Sequence, residues 1–356
     1  MHVLILTPYI YGTAPGPRTS IELWERVLRP AGITFEYVPF ETQRLHEIIY
    51  RSGHHREKAA EMMRSMWRRL PLMNRLDEFD AVLVYREAAL LGPAVLERWV
   101  ARSGKPIIYQ LDDPLYVPYR SPSNGYLSYL KFFGKVKSIV RMSKLVIVNS
   151  PQHREFASSF NSNIWEVPSV VDEQRFTYSP RPPTTQPVCV GWSGSVSTKK
   201  NLQTVRDVLR ELGDRSDVEL RFIGGTEFDL PDVKHVALPW NAETEVDDLR
   251  RFDIGLVPLP TDEWTRRKFY LKLVQYMALG IPAIATPLGA NPFVIDHGRT
   301  GFLARSSSEW REAIERLVGD PQLRADMGQA AAEEAAARYT LAANAERIVA
   351  AFQSIQ

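Results

Sequence analysis

Two series of short apolar runs, each interleaved with helical patterns, constrain this chain more than any other feature. The first series is Val3–Leu6, Thr34–Val38, Ala81–Val84, Pro106–Tyr109, Leu145–Val148 and Ile164–Val167. The second is Val188–Trp192, Val218–Ile223, His235–Leu238, Ile254–Val257 and Ala283–Ala285. Short continuous apolar runs read as strands buried on both faces, and helical patterns between them supply the crossovers that parallel strands need. A polar, proline-rich stretch, residues 178–187, separates the series and reads as a linker. At 356 residues the chain is long for one core and comfortable for two. The expected class is α/β: two doubly wound domains, residues 1–177 and 188–338, facing a central cleft where the carboxyl ends of their strands would hold ligands. From Asp320 to Gln356 the pattern is helical, with a break near Tyr339-Thr340.

Charge narrows the partners. The net charge is +2, which argues against nucleic acid. Residues 1–178 nevertheless carry 23 Lys and Arg against 18 Asp and Glu, and residues 44–75 alone carry eight against three. Within that segment Ala59, Met62, Met63, Met66, Trp67 and Leu70 form an apolar stripe, with Arg64, Arg68 and Arg69 beside it. A basic amphipathic helix with a tryptophan suits an anionic membrane surface; a domain helix packing on its sheet gives the same pattern. The run from Tyr126 to Arg141 has a similar mix. Leu273–Ile295 lacks charge, but its three prolines argue against a membrane span. Met1-His2 leads straight into a strand, so no signal peptide is expected and the cytoplasm is the default location. The single cysteine, Cys189, excludes an intrachain disulfide and reads as a small buried hydrophobe.

Four places carry chemistry-bearing residues. From Trp264 to Leu303 a helical pattern ends at Gly280, followed by Pro282, a short strand, a Pro-Leu-Gly-Ala-Asn loop and a final turn. Lys268 and Lys272 lie one turn apart there and can meet a phosphate or simply be solvated. After the first strand, Gly12 and Gly16 permit close backbone approach ahead of a helix, a setting that favours anions. That loop does not match the dinucleotide fingerprint G-x-G-x-x-G. Arg18 follows it, suited to a phosphate, to an acceptor, or to a solvated turn. Asp112 and Asp113 end a strand; adjacent carboxylates alternate sides, which disfavours a shared metal, and an Asp cap is the plain alternative. Finally, Gly191-Trp-Ser-Gly-Ser195 leads to Lys199 and Lys200, a loop able to turn amides and an ammonium toward phosphate.

The run Lys272-Leu-Val-Gln-Tyr-Met-Ala-Leu-Gly-Ile-Pro282 and the Gly loop after it resemble the C-terminal signature of retaining nucleotide-sugar glycosyltransferases of the GT-B fold, family 4. The resemblance implies two Rossmann-like domains, with the last helix, 339–356, crossing back to the N-terminal one. It implies donor contacts from Gly12, Gly16, Lys200, Lys268, Lys272, Gln275, Gly289, Ala290 and Asn291. It puts Asp112 where the family carries a histidine on the transferred sugar, and leaves Arg18 and Asp113 toward the acceptor. Three positions depart from the family pattern: Arg267 and Gln275 stand where glutamates are usual, and Ser195 where an arginine is.

The implied function is transfer of a sugar from a nucleotide-diphospho-sugar to a glycan or lipid-linked acceptor in cell-surface polysaccharide or glycoconjugate synthesis. No cofactor and no metal are implied. An anionic membrane surface, met through Arg64, Arg68 and Arg69 on the inner face of the cytoplasmic membrane, is a candidate partner. Two alternatives stay open: a non-catalytic nucleotide-sugar-binding protein of the same fold, and a nucleotide-sugar epimerase.

Overall fold

The computed structural model describes residues 1–49, 51, 53–119, 125–180 and 187–355. Most of the proline-rich stretch expected as a linker, residues 181–186, lies outside the described residues. The chain divides into two units, residues 1–169 with 344–356, and residues 170–343. The division falls upstream of the proline-rich stretch.

The first unit is built on β1 (His2–Thr7), β2 (Thr34–Pro39), β3 (Ala81–Tyr85), β4 (Ile107–Leu111), β5 (Leu145–Val148) and β6 (Ile164–Glu166). All pairings are parallel, in the order β2-β1-β3-β4-β5-β6. Every residue of β3, β4 and β5 is buried, as uninterrupted apolar runs demand. The direction of strand addition reverses between β1 and β3, so the crevice of this sheet opens above their carboxyl ends. In residues 344–356, Phe352 is fully buried against Phe35 of β2, at 6.0 Å between ring centroids.

The second unit is built on β7 (Val188–Ser193), β8 (Val218–Ile223), β9 (Val236–Leu238), β10 (Ile254–Val257), β11 (Ala283–Ala285) and β12 (Gly301–Leu303). It too is parallel, ordered β12-β11-β10-β7-β8-β9, with its reversal between β7 and β10. The three-residue β12 was not among the expected strands; one Phe-Leu pair after a turn glycine gives no periodicity to read.

At the reversal, Gly191 of β7 and Gly255 of β10 lie opposite each other in register. A Cβ on Gly191 would fall inside the Phe252 ring, and one on Gly255 would meet the Tyr276 ring at 2.5 Å. The paired glycines thus let two aromatics press close against the sheet. Tyr276 belongs to the helix Leu271–Ala278, so this contact sets how close that helix approaches. The helix stops where its sequence says: Gly280 takes φ +70, its N–H donates to the Met277 carbonyl, and the Ile281 N–H reaches back to that of Tyr276.

The helix His55–Met73 corrects one expectation. Its inward face carries Lys58, Glu61, Ser65 and Arg69, all buried. Arg69, expected beside Arg64 and Arg68 on an outer basic face, is 1% exposed. Its Nη2 donates to the carbonyls of Thr7 (2.8 Å) and Val38 (3.1 Å), at the carboxyl ends of β1 and β2. The apolar stripe divides as well: Met62 and Met66 pack partly inward, while Met63 and Trp67 are 62% and 70% exposed. Lys135, in the second aromatic-basic run, is likewise buried, paired with Glu87 at 2.8 Å. The Tyr126 side chain lies outside the described residues.

Gly191→Ala is expected to overpack a rigid ring and cost about 1–3 kcal/mol. Urea denaturation should show a lower midpoint with an unchanged slope; an unaltered midpoint would mean that Phe252 yields freely.

Candidate functional site

At the reversal point of the first sheet, Arg86 follows β3 in the left-handed region, φ 62, unusual for a residue with a Cβ. The turn aims its guanidinium across β4. Nε and Nη2 donate to Asp112 Oδ1 (2.6 Å) and Oδ2 (2.9 Å), Nη2 lies 2.6 Å from Asp113 Oδ2, and Nη1 donates to the Tyr9 hydroxyl (2.7 Å). The Tyr85 hydroxyl donates to Asp112 Oδ2 at 2.5 Å. Burial works against the Arg86 charge, but Asp112 and Asp113 outweigh it and raise its pKa further. Burial likewise drives the Tyr85 hydroxyl well above the usual tyrosine range, so it remains a donor. Two carboxylates share one guanidinium here, and the cluster carries one excess negative charge.

Gly16 belongs to this cluster. A Cβ there would stand 3.0 Å from Arg86 Nη2 and 3.1 Å from Asp112 Oδ2, so only glycine lets the turn Pro15–Arg18 rest on it. Gly12 lies elsewhere: its N–H goes to both carboxylate oxygens of Glu22, 3.1 Å each. The amide expected to face a diphosphate is thus engaged within the unit. Burial raises the Glu22 pKa. Gly12, Arg18 and Glu22 line an open cleft of about 700 Å³ together with Tyr11, Arg26 and Arg29.

In the second unit the loops after β7 and β8 press together. Gly224 has φ +138, and a Cβ on it would collide with the Gly194 carbonyl oxygen. The Lys199 ammonium donates to the Glu227 carbonyl at 2.6 Å and lies 4.6 Å from the Phe228 ring centre, which makes it a tie between loops. Lys200 is exposed. Above β7, the Lys272 Nζ sits 4.4 Å from the centre of the buried Trp192 ring, a cation–π distance. No carboxylate of the described residues pairs with it. Desolvation, reinforced by the charge of Lys268, presses its pKa down to about 7.

The loop after β11 holds the turn that carries Lys268. Gly289 has φ +59; a Cβ there would lie 2.9 Å from the Thr265 carbonyl oxygen and closer still to that of Lys268. The Ala290 N–H donates to the Lys268 carbonyl at 3.1 Å. Ala290 and Asn291 are both 1% exposed, and the Asn291 amide donates to the Thr286 carbonyl at 2.9 Å. The N–H groups of both residues are thus engaged inside the loop, while the buried Asn291 Oδ1 has no hydrogen-bond partner among the described residues. Arg267 pairs with Glu263. Gln275 is buried on the helix of Lys272, its amide donating to Glu245 Oε1 at 3.2 Å.

Sequence reasoning missed Arg86, Trp192, Gly224, Trp240 and Glu245. A Gly-Gly pair closing an apolar run was the one available signal, at Gly224-Gly225. Burial pushes the Cys189 thiol up to about 12, in keeping with a buried, unreactive side chain.

Comparison with known proteins agrees with this fold. Residues 187–320 match the family model Glycosyl transferases group 1. The matched segment lies within the second unit, and the two parallel sheets have the GT-B architecture. D-inositol 3-phosphate glycosyltransferase of Pseudarthrobacter chlorophenolicus is 33% identical over 128 residues, 35% of this chain and 29% of the relative. The enzyme of the same name from Arthrobacter sp. is 26% identical over 227 residues, 56% of this chain and 53% of the relative. The chain thus spans 29% and 53% of the length of these two curated relatives. Among solved structures, Anabaena Alr3699/HepE in complex with UDP matches with a TM-score of 0.69 at 17% identity, covering 99% of this chain and 100% of that one.

The depressed Lys272 has a measurable consequence. Unfolded, it keeps its proton up to the usual lysine value of 10.5, whereas folded it loses it near 7. Between these values the unfolded chain binds more protons, so Lys272 makes stability rise with pH. Denaturation of wild type and Lys272→Met at pH 7 and pH 9 should show the variant's advantage shrinking at the higher pH. A pH-independent difference would contradict the shift.

Proposed function

We propose that the protein is a retaining glycosyltransferase that takes a nucleotide-diphospho-sugar on its second unit. The Lys272 ammonium carries this reading: a cation without a carboxylate partner among the described residues, resting on an indole at the reversal point of the second sheet. Keeping such a charge half-buried is costly unless an anion completes it. In the transfer, the bond from the anomeric carbon to the diphosphate breaks, an acceptor hydroxyl oxygen bonds on the same face, and its proton passes to the departing diphosphate oxygen. Negative charge grows on the departing diphosphate, where Lys272, with Lys268 and Lys200, stabilises it. We assign the carboxylates held by Arg86, Asp112 first, to sugar hydroxyls. Arg18 and its open cleft are the acceptor candidates, for a glycan or lipid-linked acceptor.

The outer face of His55–Met73 supports a membrane-associated acceptor. Arg56, Arg64 and Arg68 are exposed there beside Met63 and Trp67. Arg64 also pairs with Glu61 at 2.7 Å. Cations around a bare tryptophan complement anionic headgroups, at ~1 kcal/mol for each basic residue near the surface. Among the described residues no helix is long and apolar enough to cross a membrane, so attachment of this kind would be peripheral and salt-sensitive.

Calorimetry should find that Lys272→Ala weakens UDP, GDP or ADP binding by about 1.5–3 kcal/mol, the range for a charge-assisted hydrogen bond. Unchanged affinity in a folded variant would remove the donor site from this helix. Asp112→Asn should lower transfer without altering nucleotide affinity; parallel loss of both would make it a structural anchor. Donor hydrolysis or transfer by wild-type protein separates an enzyme from a binding protein of the same fold.

Vesicle sedimentation tests the membrane surface. Binding should increase with anionic lipid, decrease with salt, and weaken in Trp67→Ala and Arg68→Glu. Wild-type protein that ignores anionic vesicles at low salt would leave a soluble acceptor as the better reading.

A further inference from the structure

Gln275 does not act alone. Its amide Nε2 donates to Glu245 Oε1 at 3.2 Å, and the Trp240 indole N–H donates to the same oxygen, also at 3.2 Å. Glu245 comes from the short helix Glu245–Leu249, thirty residues away in sequence. Its side chain is only 12% exposed, and its other oxygen lies 3.7 Å from Arg175 Nη2, which itself donates to the Ala242 carbonyl at 2.9 Å. That longer separation leaves Oε2 with acceptor capacity, since a carboxylate offers about four lone-pair positions. The Gln275 side-chain oxygen receives no hydrogen bond from the described residues. Two touching groups therefore present two acceptors side by side, one charged and one neutral, which is the complement of a pair of neighbouring hydroxyls.

The surroundings extend the match. Lys272 lies three residues before Gln275 on the same helix, so the two share a face with Cβ atoms ~5–6 Å apart. On the other side, Trp240 follows β9 by two residues and is 42% exposed, its indole N–H fixed by Glu245. Ammonium, acceptor pair and indole face thus succeed one another at the carboxyl end of this sheet. A nucleoside diphosphate has the same order: phosphate, ribose diol, base.

We propose that Glu245, held by Gln275 and Trp240, is the residue that binds the ribose hydroxyls of the donor nucleotide, with Trp240 as the stacking surface for its base. The assignment rests on the donor reading of the second unit, and it moves the charged ribose contact from the helix of Lys272 to a separate one. Glu245 Oε2 accepts from one hydroxyl and Gln275 Oε1 from its neighbour. A site built to bond a hydroxyl rejects the analogue that lacks it, because its buried acceptors are then left unpaired.

The experiment is calorimetry on the full chain with UDP, GDP and ADP, their 2′-deoxy counterparts, and inorganic pyrophosphate. For the best-bound nucleotide, wild type should favour the ribo form over the deoxy form by roughly tenfold or more, a hydrogen-bond-sized discrimination. In Glu245→Ala the two forms should bind alike, each at least ~10-fold weaker than the ribo form on wild type, while pyrophosphate affinity is unchanged. Glu245→Gln, which keeps the side-chain shape, should lose part of the discrimination. Trp240→Ala should weaken both nucleotide forms equally, by about fivefold or more, as loss of base stacking requires. If discrimination persists in Glu245→Ala, or pyrophosphate falls in step with the nucleotides, the assignment is wrong. If nucleotides bind through Lys272 but their ribose is not read by Glu245, the donor site stands and only this inference falls. If neither nucleotides nor pyrophosphate depend on Lys272, both fall together.

Discussion

Two glycines facing each other across β7 and β10 govern the second unit. Gly191 and Gly255 clear a recess into which Phe252 and Tyr276 fit, edge to face at 6.0 Å between ring centres. Tyr276 completes the arrangement by accepting the Ser193 N–H on its hydroxyl at 2.9 Å. One side chain thereby fixes the helix Leu271–Ala278 against both the sheet and the end of β7. Lys272 and Gln275 ride on that helix, so their positions above the sheet follow from the absence of two Cβ atoms beneath it. A larger residue at position 255 would press on the Tyr276 ring and lift the helix with the charge it carries.

The two units treat charge in opposite ways. In the first, Arg86 is surrounded by Asp112, Asp113, Tyr9 and Tyr85, and every nitrogen of its guanidinium has an oxygen partner. Such a cluster is held rigid by its own hydrogen bonds and is suited to presenting fixed oxygens. In the second, Lys272 rests on an aromatic face and is repelled by Lys268, with its pKa pushed down to about 7. A group in that state gains both its proton and its partner when an anion arrives. Under the proposed function, the clamped cluster presents fixed oxygens to a sugar and the lysine supplies binding energy to a diphosphate.

The architecture was legible because burial on both faces leaves continuous apolar runs, and eleven of the twelve strands coincide with such runs. Lys268, Lys272 and Gly289 were legible for a related reason: helix, glycine stop, strand and glycine loop are punctuation fixed by local backbone geometry. Glu245 was not, since its contact with Gln275 spans thirty residues and its own neighbourhood, Glu-Thr-Glu-Val-Asp-Asp, reads as a solvated acidic helix start. Arg86 was hidden because a left-handed φ at a residue other than glycine has no sequence signature. At Ala290 and Asn291 the loop is where expected, and its N–H groups close on the loop itself.

The helix His55–Met73 shows why periodicity alone chose the wrong face for Arg69. Amphipathic reasoning turns apolar residues inward, yet this helix crosses the carboxyl ends of β1 and β2, where backbone carbonyls offer lone pairs to a donor. A long cationic side chain satisfies two such carbonyls at once, and Glu61 likewise takes the Thr42 hydroxyl at 2.5 Å. The polar residues are therefore drawn in by the hydrogen-bonding demand of the sheet ends, at the cost of a buried guanidinium whose pKa falls to about 9. With the inner face so occupied, Met63 and Trp67 are left to solvent beside Arg64 and Arg68. The same requirement that hides Arg69 thus creates the exposed apolar-cationic face, and a surface of that composition is costly to leave bare unless something outside the chain covers it.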